Sequence, residues 1–144
     1  MELLIFYLDA DCDLEKAGIE DINEMEMEGS DSNINVIVQI DRIPGFDDSE
    51  GDWTGAKRYH IIKDYDSDRI GSTAIQDLGE VNMGSVSTLQ SFIQWTKSNY
   101  PADNYNQENR IIMKKIIIIT AITITIIITI GLLPIKLLDP CFIM

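Results

Sequence analysis

Residues 3–8 form an uninterrupted apolar run of Leu, Ile, Phe and Tyr that is followed at once by Asp9. An apolar run without alternating polar positions predicts a β-strand buried on both faces, the pattern typical of a parallel sheet. The run is short, has no basic residues before it and leads directly into acidic residues, so we do not interpret it as a secretory signal. The chain is therefore expected to begin with a buried strand.

A helix and a second strand follow this first strand. The carboxylates of residues 9–13 can cap a helix, and Gly29 favours the left-handed conformation in which helices commonly end. Between them, apolar residues recur at helical spacing, at Leu14, Ala17, Ile22 and Met25. The β-branched residues of 35–40 predict the second strand, and strand, helix and strand in this order form a right-handed crossover unit.

Further along, the sequence predicts an edge hairpin and a second helix. Residues 41–58 are rich in Gly, Asp and Ser and predict a loop, 59–63 predict a strand, and 64–68 predict a turn. A helix that begins near Ser85 and ends before Pro101 has one apolar face and a basic last turn. A third central strand is expected after this helix.

Composition divides the chain near residue 110. The first 110 residues hold 8 Lys and Arg against 23 Asp and Glu, whereas residues 111–144 hold 3 Lys against 1 Asp, which gives the net charge of −13. So acidic a body excludes nucleic acid as a partner, because phosphate binding needs a basic surface. We therefore distinguish an amino-terminal part, residues 1–108, from an apolar tail, residues 111–144.

Seven short blocks carry a family likeness over about residues 3–105. They are YLDAD at 7–11, GIEDINEM at 18–25, VQIDRIPG at 38–45, GDWTG at 51–55, DLGEVNMG at 77–84, FIQW at 92–95 and NYP at 99–101. In this order they resemble the start of the clostripain-like cysteine peptidases, which belong with the caspases and gingipains. Several ordered blocks are a more specific signal than one short motif.

The resemblance implies a three-layer α/β/α sandwich with a mostly parallel sheet, and cleavage of peptide or protein substrates, typically after Arg or Lys. It also implies a catalytic histidine in an Asn/Asp-His-Gly-x-Gly-Trp segment beyond the position of Tyr105, and a cysteine nucleophile later still, with no cofactor required. Neither segment occurs in these 144 residues. We therefore expect an incomplete caspase-like domain, interrupted at about residues 105–110, with no catalytic residue and no activity of its own.

Cys12 and His60 do not match the missing catalytic pair. The sequence has one histidine and two cysteines, Cys12 and Cys141, without a CxxC pair, so it indicates neither a disulfide framework nor a zinc site. A dyad needs specific geometry at strand ends, which a first-loop cysteine and an edge-strand histidine do not obviously share. Trp53, in the glycine-containing block 51–55, has two alternative roles: it lines a peptide cleft or it anchors its own loop.

Five carboxylates near the amino terminus resemble a calcium-binding loop. Positions 1, 3, 5, 7 and 12 of that template correspond to Asp9, Asp11, Asp13, Glu15 and Glu20. Leu14 replaces the glycine that the template needs, and a strand precedes the loop. Helix capping is the alternative role for these residues. Asp64, Asp66 and Asp68 share the spacing without the closing Glu and predict a solvated turn.

The tail has two interpretations. Residues 116–133 are 18 uncharged residues, enough to cross a bilayer as a helix, and Lys114 and Lys115 would keep the amino-terminal part on the cytoplasmic side. The other interpretation is out-of-frame translation of a disrupted gene, which would give an aggregation-prone segment. The prenylation-like ending at residues 141–144 lacks a polybasic cluster, and we assign it no role.

Two functions are therefore open. The first is an incomplete clostripain-like peptidase that is inactive alone. The second is a membrane-tethered acidic module that binds calcium or a basic partner, with localisation at the membrane if residues 116–133 insert.

Overall fold

The computed structural model describes residues 1–102 and, beyond them, the backbone of four short strands. The elements up to residue 102 are β1 (Glu2–Ala10), α1 (Glu15–Glu26), β2 (Ile34–Arg42), β3 (Gly55–His60), β4 (Ala74–Gly79) and α2 (Val86–Asn99). The short strands are β5 (Tyr105–Asn106), β6 (Arg110–Ile111), β7 (Ile116–Ile118) and β8 (Ile126–Ile127).

The main sheet has the strand order β4-β3-β2-β1-β7-β8. β1 and β2 run parallel along their whole length, from the pair Glu2 and Ile34 to the pair Ala10 and Arg42. β3 pairs antiparallel with β2, and β4 pairs antiparallel with β3. The sheet is therefore mixed, and the prediction of a mostly parallel sheet was wrong. The reason is that no helix separates β2, β3 and β4, so the chain reverses direction at each connection instead of crossing over.

Helices α1 and α2 cover opposite faces of the sheet. On one face, Phe6 and Leu8 of β1 pack with Ile19 and Ile22 of α1. On the other face, the alternate residues of β1 and β2 pack with α2 in a second core, which consists of Ile5, Tyr7, Ile37, Met83, Leu89 and Phe92. Alternate side chains of a strand point to opposite faces, so the apolar run at residues 3–8 supplies both cores.

Most of the predicted elements are present. β1, α1, β2 and α2 confirm the predictions, and α1 is followed by Gly29, whose φ of +61° is the left-handed conformation expected at a helix end. The edge strand begins at Gly55, earlier than the predicted start at 59. The predicted turn at 64–68 lies within the longer connection between β3 and β4.

The apolar tail is described only at a few positions. β7 pairs parallel with β1 through Ile116 and Ile117, so a strand lies where a third central strand was expected after α2. In the part of the chain that the structure describes, no helix is long and apolar enough to cross a membrane. Of the predicted span 116–133, the described positions 116–118 and 126–127 are strands, and the rest lies outside the described residues, as does 141–144.

Candidate functional site

Three loops meet at the end of the sheet where β1 and β2 terminate, which we call the carboxyl edge. The parallel strands β1 and β2 both end there, at Ala10 and Arg42. β3 begins there, because Gly55 pairs with Arg42, and β4 ends there, because Gly79 pairs with Ala56. Ligands of open α/β sheets bind beyond the carboxyl ends of the strands, so this edge is the natural place to look for a site.

Three carboxylates converge at the carboxyl edge and form what we call the acidic triad: Asp11, Asp41 and Glu80. Oxygen atoms of the three side chains lie within 4.8 Å of one another. Asp11 follows β1, Asp41 is the penultimate residue of β2, and Glu80 follows β4. Asp11 and Glu80 are exposed, whereas Asp41 is only 1% exposed.

Asp41 is the unusual member of the triad. Both of its carboxylate oxygens are buried and have no hydrogen-bond partner. Burial raises the pKa of Asp41 to about 7, with further contributions from the negative charges of Glu80, Asp11 and Asp9. Carboxylates buried in this way normally have hydrogen bonds, a cationic partner or a metal ion, because an uncompensated buried charge is unfavourable.

A buried ion pair lies next to the triad and fixes the loop after β2. Glu15 and Arg42 are both fully buried, and Arg42 Nε donates to Glu15 Oε1 at 2.6 Å. Glu15 Oε2 accepts the backbone N–H of Asp47 at 2.8 Å, and Arg42 Nη2 donates to the carbonyl oxygen of Asp47 at 2.6 Å. The two side chains therefore hold α1, β2 and the loop together.

Trp53 anchors the same loop. The guanidinium of Arg42 lies 4.6 Å from the centre of its ring, and the ammonium of Lys57 lies 4.2 Å from it. Trp53 also packs against the core on the α1 side, with its ring centre 6.4 Å from that of Tyr59. Of the two roles open from the sequence, these contacts favour the anchoring role.

The structure separates the five calcium candidates that the sequence suggested. Asp9 is half-buried in β1, and Asp13 is exposed just before α1. Glu15 is occupied by Arg42, and Glu20 is exposed on α1, 3.8 Å from Lys16. Only Asp11 belongs to the acidic triad, which is the one group of three possible metal ligands found within the described residues. Calcium binding by the original five stays a prediction.

Sequence reasoning missed Asp41 and Glu80, although one signal for Asp41 was available. Asp9 and Asp41 each come at the end of a buried apolar strand, and the two strands were predicted to be parallel neighbours. Parallel strands that begin together bring such residues side by side, and Asp9 does pair with Asp41. Glu80 follows a strand that was not predicted, so its position could not be inferred.

Cys12 and His60 lie at opposite ends of the sheet. Cys12 follows β1 at the carboxyl edge, whereas His60 pairs with Ile37, five residues before the end of β2, or roughly 17 Å away along the strand. His60 Nε2 lies 3.1 Å from Asn35 Oδ1, and burial lowers its pKa.

Cys12 is also part of a disulfide, which the sequence did not lead us to expect. The expectation was wrong because distance along the sequence does not limit distance in a fold.

Comparison with known proteins adds the following. The model of the clostripain family matches residues 6–112. Clostripain from Hathewaya histolytica is 33% identical over 112 residues, which cover 71% of this chain and 21% of clostripain. This chain therefore spans about a fifth of the length of the curated relative that it matches. The matched range contains both helices, strands β1 to β4 and the whole acidic triad.

Proposed function

Because this chain belongs to the clostripain family, we propose that residues 1–102 are a non-catalytic part of a caspase-like cysteine-peptidase domain. The helix–sheet–helix arrangement, with β1 and β2 parallel and the loops meeting at their carboxyl ends, supports this assignment. In this proposal, a peptide or protein would be the substrate of an intact family member, and the 144 residues alone have no peptidase activity.

The observation that carries the proposal is the separation of the chain's one histidine from Cys12. A cysteine peptidase needs a thiolate and a histidine close enough to exchange a proton, within about 3 Å. Cys12 and His60 are separated by roughly 17 Å along the sheet, and the sulfur of Cys12 is engaged in a disulfide. The His-Gly and later cysteine segments expected from the family likeness do not occur in the sequence.

A cleavage assay tests this proposal. The full chain, reduced with a thiol and supplied with calcium, is incubated with reporter peptides that have Arg or Lys before the scissile bond. We expect no cleavage above buffer, while clostripain from Hathewaya histolytica under the same conditions serves as the positive control. Cleavage that is abolished by both Cys12→Ala and His60→Ala would contradict the proposal, because it would demonstrate a functional pair in this chain.

The tail belongs to a second proposal, a membrane-tethered acidic module. The acidic triad supports the binding half of that alternative, and the 18 uncharged residues at 116–133 support the membrane half. Carbonate extraction of membranes from expressing cells tests the tether. Protein that stays in the pellet after extraction, and becomes extractable when residues 116–133 are deleted, supports insertion.

A further inference from the structure

We propose that the acidic triad binds one hard divalent cation, of the class of Ca²⁺ or Mg²⁺, at the carboxyl edge of the sheet. The ligands would be carboxylate oxygens of Asp11, Asp41 and Glu80, which already lie within 4.8 Å of one another. Such cations prefer oxygen ligands, and carboxylates are the commonest protein groups that supply them. This inference does not depend on peptidase activity.

Asp41 supplies the independent observation that points to a ligand. Its side chain is almost completely buried, neither oxygen has a hydrogen-bond partner, and an oxygen of it lies close to those of Asp11 and Glu80. A cluster of exposed acidic residues has no such feature, because water satisfies each member. A cation at this point would compensate a buried charge that the fold otherwise leaves uncompensated.

Nearby basic side chains do not compensate Asp41, because they are engaged elsewhere. Arg42 is bonded to Glu15 and to the backbone of Asp47. Arg58 donates to Gln39 and Gln76. Lys57 lies over the ring of Trp53. Asp9, which pairs with Asp41 across β1 and β2, adds a further negative charge instead of a compensating one.

The site is held in place from below by hydrogen bonds to the loop that carries Glu80. Tyr7 Oη donates to the carbonyl oxygen of Met83 at 3.1 Å, and Gln39 Nε2 lies 3.3 Å from Met83 Sδ. Tyr7 and Gln39 come two residues before Asp9 and Asp41 on their strands, so they lie on the same face of the sheet. The loop after β4 is therefore attached to the two strands whose ends supply the other ligands.

The exposure of the triad suits a partly hydrated ion. Asp11 and Glu80 are exposed, which leaves water free to complete the coordination of a cation held by three carboxylates. Ca²⁺ takes six to eight oxygen ligands and Mg²⁺ takes six, and both commonly retain water. Two ligands come from strand ends and one from a loop.

Isothermal titration calorimetry of the full chain, freed of metal with a chelator, tests the proposal with CaCl₂ and MgCl₂. We expect a single site for at least one of the two ions. Asp41→Asn should weaken binding at least about tenfold, because a charged ligand of a hard cation is replaced by a neutral amide. Asp48→Asn is the matched control: it removes the same charge from an exposed position in the loop after β2 and should leave the affinity within about twofold.

Glu80→Gln repeats the test at an exposed ligand, so the outcome does not depend on how well the Asp41 variant folds. It should also weaken binding about tenfold, with an unchanged circular dichroism spectrum. No binding heat for either ion at millimolar concentration would overturn the proposal. Equal weakening by Asp48→Asn and Glu80→Gln would also overturn it, because that result describes a diffuse ion atmosphere.

Discussion

At the scale of single residues, the ion pair between Glu15 and Arg42 is the most exacting contact near the site. Both side chains are fully buried, and the Nη1 atom of Arg42 has no partner in the described residues. A buried pair of this kind is not a strong net source of stability, because desolvation offsets much of the attraction. Removing one partner is costly, however, because the other charge is left uncompensated inside the protein.

Glu15→Ala is therefore expected to lower the free energy of unfolding by about 3–5 kcal/mol, enough to unfold a marginally stable chain. Glu20→Ala, on the exposed face of the same helix, removes a surface pair with Lys16 and should cost less than about 0.5 kcal/mol. Urea denaturation followed by circular dichroism compares the two variants. Similar losses would contradict the structural role of the buried pair.

The sequence could not reveal these two roles at the residue scale. Glu15 fitted a calcium template by spacing alone, and its partner Arg42 lies 27 positions away in the sequence. Asp41 looked like an ordinary residue at the start of a loop, because only the fold shows that both of its oxygens are buried. Local spacing describes neighbours along the chain, whereas these side chains are defined by contacts between elements.

At the scale of elements, α2 depends on a small set of contacts with one face of the sheet. Leu89, Phe92 and Thr96 are its buried positions. The ring of Phe92 stacks on that of Tyr7 with a centroid distance of 5.9 Å, and the guanidinium of Arg58 lies 5.3 Å from the Phe92 ring. Phe92 is therefore the central contact between this helix and the strands.

Phe92→Ala should cost about 3–5 kcal/mol of stability, because a large buried ring is replaced by a cavity. Val86→Ala, at a position 41% exposed at the start of the same helix, should change stability by less than about 0.5 kcal/mol. The midpoints of urea unfolding measure both effects. A Phe92 variant as stable as the Val86 variant would mean that α2 does not pack on the sheet as described.

The elements that apolar patterns define were predictable, and the others were not. β1, α1, β2 and α2 each have a continuous or periodic apolar pattern. β4 was missed because most of its residues are exposed and its sequence AIQDLG has no strand-like alternation. β3 was placed too late because its first half is buried through Ala56 and Arg58 instead of through large apolar residues. The strand directions followed from loops, whose paths the sequence did not indicate.

At the scale of the whole molecule, charge is the dominant feature. The first 110 residues have a net charge of −15, from 8 basic and 23 acidic residues. Carboxylates are concentrated further at the carboxyl edge, where the triad and Asp9 lie together. Repulsion among like charges destabilises the compact state, because unfolding moves them apart.

Raising the salt concentration should therefore stabilise the chain. Going from about 0.02 M to about 0.3 M NaCl shortens the screening length from roughly 20 Å to below 10 Å, so the midpoint of thermal unfolding should rise. Choline chloride at equal ionic strength is the control, since its large cation screens charge without suiting a carboxylate site. A lower midpoint at high salt would mean that attractive ion pairs outweigh the repulsion.

The contacts of Arg42 also have a consequence for how relatives of this chain can vary. One guanidinium contacts the first residue of α1, the backbone at Asp47 and the ring of Trp53. A mutation that removes Arg42 leaves an acid stranded at position 15, and a mutation of Glu15 strands the arginine. Lineages should therefore exchange positions 15 and 42 together, and those that have made the exchange should be the ones in which the loop after β2 is free to change length and lose its tryptophan.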